Sequence, residues 1–248
     1  MSGNPFSAAS LPAITLDVDV LIGRYPDRPG PTGTPGQVAE VLRTNGIGGA
    51  AVASLRAALF DVVTGNDEVT GLDSPAVLPV GVVDLRDPLG AEREIVRLTD
   101  RGVRAVRLFP DEQGVAADYP AVRHVARRAT EAGLVLLAGG DVRQFWRPLA
   151  GATVVFLDTH FYHLGDFVVA ARDEPGFHTS TRLLNSPDAI ELVAAELGVN
   201  RMLYGSRTPF YEAAVPRLRL ARSGLDPAGV TAVAGGNARR ILGDPRDH

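Results

Sequence analysis

Eight short apolar runs of strand length alternate along the chain with segments whose apolar residues recur at helical spacing, and this alternation narrows the possible folds most sharply. The runs fall at residues 16–23, 46–55, 77–84, 102–109, 133–139, 152–160, 177–181 and 201–206. Between them, Thr34 and Pro35 cap and open a helix reaching residue 45, and residues 57–70 read as a second. Asp87 and Pro88 open a helix with Leu89, Ile95, Val96 and Leu98, and residues 118–132 place Tyr119, Val122, Val125 and Ala126 at helical spacing. Further helices are expected at 141–149, 164–172, from Ser186-Pro187-Asp188 to 197, near 210–222 and near 226–242. Strands regularly separated by helices form a parallel sheet, and eight of them predict closure into a single α/β (β/α)8 TIM barrel, typically about 250 residues long. The chain has 248 residues, so residues 13–243 are assigned to one barrel, with tails at 1–12 and 244–248. An open doubly wound sheet is the competing architecture. Its nucleotide fingerprint is missing, because Gly46-Ile47-Gly48-Gly49-Ala50-Ala51 begins a strand instead of joining strand to helix.

Composition limits the chemistry available to such a barrel. There is no cysteine, and all 25 residues of the Lys+Arg total are arginine. Thiol nucleophiles, thiolate metal ligands and lysine Schiff bases are therefore excluded. The net charge of -4 leaves no basic stripe for nucleic acid or an anionic membrane, and no apolar run has the length of a membrane span. No secretory signal stands out in the first dozen residues, so the expected location is the cytoplasm. The expected partner is a small-molecule substrate, with self-assembly into a homo-oligomer left open.

The first strand contains an unusual feature. In Leu16-Asp17-Val18-Asp19-Val20-Leu21-Ile22-Gly23, alternation puts Asp17, Asp19 and Leu21 on one face. Burying two carboxylates on an apolar strand requires water, a cation or an arginine partner.

Three segments resemble the amidohydrolase superfamily, specifically its amidohydrolase-related branch of small-substrate hydrolases and decarboxylases. Residues 16–23 follow the first-strand pattern hydrophobic-Asp-x-His-x-His-x-Gly. Residues 201–209 follow the eighth-strand pattern R-hydrophobic-x-[FY]-G-S-D-x-P, and residues 234–242 follow the closing G-N-A-x-R helix. The resemblance implies an amidohydrolase-like barrel with a metal site at its mouth, but the ligand positions depart from the pattern. Asp19 and Leu21 stand where the family has two metal histidines, and Arg207 stands where it has an aspartate. No histidine lies near Ala138 or Gly139, and His160, with His163 as second candidate, matches the sixth-strand histidine. The expectation is therefore a degenerate metal site with no cofactor, an Asp19 to Arg207 ion pair replacing the metal. The alternative is a zinc, iron or manganese site built from His160, His178, Asp19 and Asp158.

Asp158 and His160 share a strand face near the C-terminal end of the sixth strand, where barrel enzymes keep their active sites. They are the candidate proton-transfer groups, with Asp19 and Arg207 completing the catalytic set. Candidate substrate-binding residues are Arg24, Arg107, His163, His178 and Trp146. For Arg107, a pair with Asp84 competes with a substrate clamp, and His163 reads equally as a helix cap. A Ser206-His160-Asp158 triad is the weaker arrangement, since no G-x-S-x-G elbow is present. The expected function is a metal-independent hydrolase or lyase acting on a small acidic or amide-containing molecule. A metal hydrolase with substituted ligands and a non-catalytic binding barrel are the alternatives.

Overall fold

The computed structural model describes residues 11–27 and 30–245. Most of each predicted tail, the loop residue Pro29 and His248 lie outside the described residues. Nine strand segments form eight parallel staves among those residues. They are β1 (Asp17–Ile22), β2 (Ala50–Ser54), β3 (Val77–Pro79) with β4 (Gly81–Val82), β5 (Ala105–Leu108), β6 (Val135–Ala138), β7 (Val154–Phe156), β8 (Phe177–Ser180) and β9 (Met202–Leu203). The third stave is split at Val80, whose N–H donates to the Val52 carbonyl at 2.9 Å and keeps the stave joined to β2. The ladder runs in parallel from β1 to β3 and from β4 to β9. It closes where Val18 N–H donates to the Tyr204 carbonyl and Leu21 N–H to the Thr208 carbonyl, each at 2.9 Å. The expected (β/α)8 barrel is the observed fold. No described helix is long and apolar enough to cross a membrane.

Alternation along the staves separates two packed layers. Leu21, Ala53, Ala105, Val135, Leu137, Val155 and Leu203 fill the barrel interior. Val106, Leu136, Val154 and Phe156 face the helices and pack with Ile95, Leu98, Val122, Val125 and Phe167. Phe156 meets Phe167 and Phe177 edge-on, with centroids 6.2 and 5.0 Å apart.

Several helices form where their capping residues place them. Thr34 and Gln37 form a reciprocal capping box at the start of the helix Pro35–Thr44, and Asp87 accepts from Gly90 N–H ahead of Pro88–Asp100. Several expected helices are shorter or broken, among them the one near 210–222, which spans Ala214–Ala221. Residues 57–70 divide into Leu55–Leu59 and Val62–Thr70, because Asp61 caps a new helix through Thr64 N–H. The helix expected at 141–149 spans Val142–Phe145. The last helix is interrupted by a wide π-type turn over Ala232–Gly236. Gly235 there has φ 154°, and a Cβ at this position would lie 2.1 Å from Thr15 Oγ1, so glycine lets the turn press against the chain entering β1.

Candidate active site

The C-terminal ends of the staves gather charged residues around Asp19. Between Asp17 and Val20 the register of β1 against β2 slips, so the strict alternation expected for this strand is broken. The two carboxylates consequently meet different partners. Asp19, fully buried, accepts from Arg107 Nη1 at 2.6 Å and from Arg207 Nε at 3.2 Å, with Arg182 Nε at 3.5 Å. Asp158 lies against Arg207 Nη2 at 2.9 Å and pairs closely with Arg182 Nη2. Side-chain exposure is 2% for Arg107, 7% for Arg182, 11% for Arg207 and 20% for Asp158. Three guanidiniums thus share two carboxylates, with one positive charge in excess within the cluster itself, and Glu112 faces Arg207 from the neighbouring depression.

Local backbone brings Arg207 to this position. Gly205 allows the chain after β9 to approach β1, since a Cβ there would sit 3.2 Å from Asp19 Cβ. Arg207 then adopts a left-handed φ of 62°, unusual for a residue other than glycine. Thr208 returns to pair with Val20, completing the turn that carries the guanidinium.

Burial alone would raise the Asp19 pKa, but the three guanidiniums, Arg107 foremost, hold it at about 2. Desolvation lowers Arg182 to about 10 and also lowers Arg107. Burial is the largest influence on Arg207 and opposes its charge, yet the combined attraction of Asp19, Tyr25, Glu112 and Tyr211 outweighs it and raises the pKa. All three remain cations at neutral pH.

Two depressions flank the Arg207–Asp158 pair. One, of about 280 Å³, is lined by Arg207, Tyr25, Glu112, Phe210 and Tyr211. Tyr25 packs edge-on against Phe210 with centroids 5.1 Å apart, and the Arg182 guanidinium lies 5.1 Å from the Tyr211 centroid. The other, of about 340 Å³, is lined by Asp158, His160, His163, Asp111, Asp141 and Tyr162. His160 Nδ1 accepts from Tyr162 N–H at 3.2 Å, which leaves Nε2 as the protonated nitrogen of the neutral ring. The ring stacks on Tyr162 at 4.8 Å.

Asp19, Asp158, Arg107 and Arg207 converge, and His160 and His163 stand beside Asp158. Other predicted site residues lie elsewhere. Arg107 does not pair with Asp84, which binds Arg86 at 2.8 Å, because Arg107 points across the barrel to Asp19. His178 is the second residue of the four-residue β8, and its Nδ1 contacts the Gly176 carbonyl behind the strand at 2.9 Å, so it does not join the cluster at the mouth. Trp146 is half-buried against the helix-facing core beneath the Arg147 guanidinium. Arg24 is exposed. Ser206 donates to Asp17 at 2.5 Å, so it does not assemble a triad with His160 and Asp158. Arg182 was missed by sequence reasoning. Its position two residues beyond β8 is the available signal, since the C-terminal ends of staves carry a barrel's site.

No family model matches the chain, and no curated protein matches it. Solved structures do. A TIM-barrel protein from Bordetella bronchiseptica shares 16% identity, with a TM-score of 0.73 over 93% of this chain and 99% of that one. The 5-carboxyvanillate decarboxylase from Sphingomonas paucimobilis shares 14% identity, with a TM-score of 0.73 and the same coverages. A 5-carboxyvanillate decarboxylase from Novosphingobium aromaticivorans shares 12%, with a TM-score of 0.70 over 95% of this chain and 98% of that one. The shared feature is the barrel fold. Decarboxylases are among the chains that have it.

The Novosphingobium structure contains bound manganese. This corrects the expectation of no cofactor, because a barrel with this fold does take a divalent ion. At the mouth of this barrel the donor set does not fit one: Asp19 and Asp158 are turned to guanidiniums, which supply no lone pair. Among the described residues, no three histidine or carboxylate side chains are grouped to hold a metal ion, and the alternative set containing His178 is not assembled.

Proposed function

We propose that this chain is an enzyme of hydrolase or lyase type that acts on a small carboxylate-bearing molecule at the C-terminal mouth of the barrel. The observation that carries this reading is the excess positive charge of Arg107, Arg182 and Arg207 over Asp19 and Asp158, placed beside an aromatic-walled depression. Arg207 is the substrate contact, since it both belongs to the ion cluster and lines the 280 Å³ depression. Its Nε and Nη2 bind carboxylates, while its Nη1 makes no hydrogen bond to a described residue. Tyr25, Phe210 and Tyr211 supply the apolar walls that orient a planar or compact body. The names of the Sphingomonas and Novosphingobium decarboxylases support an acidic substrate, as does the 3-methoxy-4-hydroxy-5-nitrobenzoic acid bound in the latter.

In this reading the guanidinium orients the substrate and stabilises negative charge that develops as a bond breaks. Asp158 and His160, on the other side of the Arg207 pair, exchange the proton. The cytoplasm is retained as the proposed location.

Turnover of a panel of small aromatic and aliphatic carboxylic acids, followed by liquid chromatography and mass spectrometry, tests the proposal. One acid should be converted by the wild type. Arg207→Ala should lower kcat/KM about 100-fold, as expected for loss of a charge-assisted contact, and His160→Ala should lower kcat with the fold retained. Binding without conversion of any acid would instead favour a non-catalytic barrel.

A further inference from the structure

Asp17 is the second carboxylate of β1, and the catalytic reading leaves it unused. It is fully buried and accepts from Asp19 N–H at 2.9 Å, Ser206 N–H at 3.1 Å and Ser206 Oγ at 2.5 Å. Ser206 Oγ also accepts from Thr208 N–H at 3.0 Å and lies 2.8 Å from Thr208 Oγ1. Nearby Tyr204 adds no donor, because its hydroxyl donates to the Ala213 carbonyl at 2.7 Å.

These bonds close around the one residue between Ser206 and Thr208, which is Arg207 in its left-handed conformation. A side chain pays a steric penalty in that region unless its surroundings over-determine it. Here Asp17 holds the residue before the arginine, and the Ser206 hydroxyl passes that restraint to the residue after it. We propose that Asp17 is a positioning residue for Arg207: through Ser206 it locks the left-handed turn that aims the guanidinium at Asp19, Asp158 and the substrate depression. The proposal rests on the reading of Arg207 as the substrate contact.

Burial among donors with no cation raises the Asp17 pKa to about 7, with Ser206 and Asp19 N–H partly opposing the rise. The clamp works in either charge state. Ionised Asp17 accepts the Ser206 hydroxyl proton; protonated Asp17 donates to Ser206 Oγ while its other oxygen keeps the two N–H bonds. An asparagine reproduces this second arrangement, with Oδ1 accepting and Nδ2 donating.

Nitrogen-15 NMR of the arginine Nε–H groups, without added carboxylate, tests the proposal. The Arg207 signal is assigned by its loss in Arg207→Lys, and the Arg97 Nε–H, bonded to Glu94 at 2.7 Å, serves as a remote control. In Asp17→Ala, solvent exchange of the Arg207 Nε–H should accelerate about tenfold, the effect of losing one restrained hydrogen bond, while Arg97 is unchanged. Asp17→Asn should restore the wild-type rate. Ser206→Ala, which removes one hydroxyl, should accelerate exchange in the same direction and provides the test if Asp17→Ala does not fold. A folded Asp17→Ala or Ser206→Ala protein with wild-type Arg207 exchange would overturn the proposal. Failure of every acid to bind would overturn the substrate reading instead, since this measurement contains none.

Discussion

Asp19→Ala is expected to lower stability by about 3–5 kcal/mol, the cost of leaving a buried charge without its partner. Arg107 suffers most. It is fully buried and its hydrogen bond goes to Asp19, whereas Arg182 and Arg207 retain Asp158. Coulomb attraction to Asp19 offsets the desolvation of all three guanidiniums, so its removal leaves three cations facing one carboxylate. For a chain of this size the loss corresponds to a fall in Tm of about 6–20 °C. The double variant Asp19→Ala/Arg107→Met should regain much of the stability, because an apolar side chain has no charge to desolvate. An Asp19→Ala protein melting with the wild type would show that the cluster carries no such energy.

The second large effect is a pH dependence set by Asp17. Its folded pKa of about 7 lies above the ordinary value of 3.8, so the folded state holds a proton that the unfolded chain releases. Stability from this group is complete below about pH 4 and is lost as pH rises through 7, on the order of 4 kcal/mol. Asp19 acts in the opposite sense: its folded pKa of about 2 gives stability that is present above 3.8 and lost as pH falls through 2. His178 is held below its usual 6.5 mainly by burial, so it adds stability as pH rises through that range. The quantity to read is therefore the wild-type urea midpoint at pH 5 against pH 8, minus the same difference in Asp17→Asn. The wild type should lose stability relative to the variant as pH rises. Parallel pH profiles would place the Asp17 titration outside this range.

The barrel was legible in the chain because its signals are local. Thr34-Pro35 and Asp87-Pro88 fix helix starts within a few residues, and the apolar runs at 102–109 and 133–139 contain β5 and β6. Breaks that depend on tertiary contact were not visible. The turn at Gly235 exists because the chain entering β1 passes against it, and the slip in β1 appears only when that strand is paired with β2.

The site shows the same division. Asp19 and Arg207 stood out as reciprocal departures from one pattern, and they meet across the closing seam of the barrel. For Arg107 a substrate clamp and a pair with Asp84 were the competing readings, whereas it reaches Asp19 across the barrel interior. Arg182 carries no motif and follows a short polar strand, so its charge reads as an exposed loop residue until closure places it between Asp19 and Asp158. His178 was a binding candidate on a short polar strand, but its ring turns back to the Gly176 carbonyl instead of to the mouth.

Titration calorimetry with benzoate at low ionic strength, in the wild type and in Arg207→Ala, tests most directly whether the mouth of this barrel holds a carboxylate. The wild type should bind one equivalent, more weakly as salt is added, and Arg207→Ala should lose at least about tenfold in affinity. Benzoate affinity that is unchanged by Arg207→Ala, or the absence of binding in the wild type, would contradict the account.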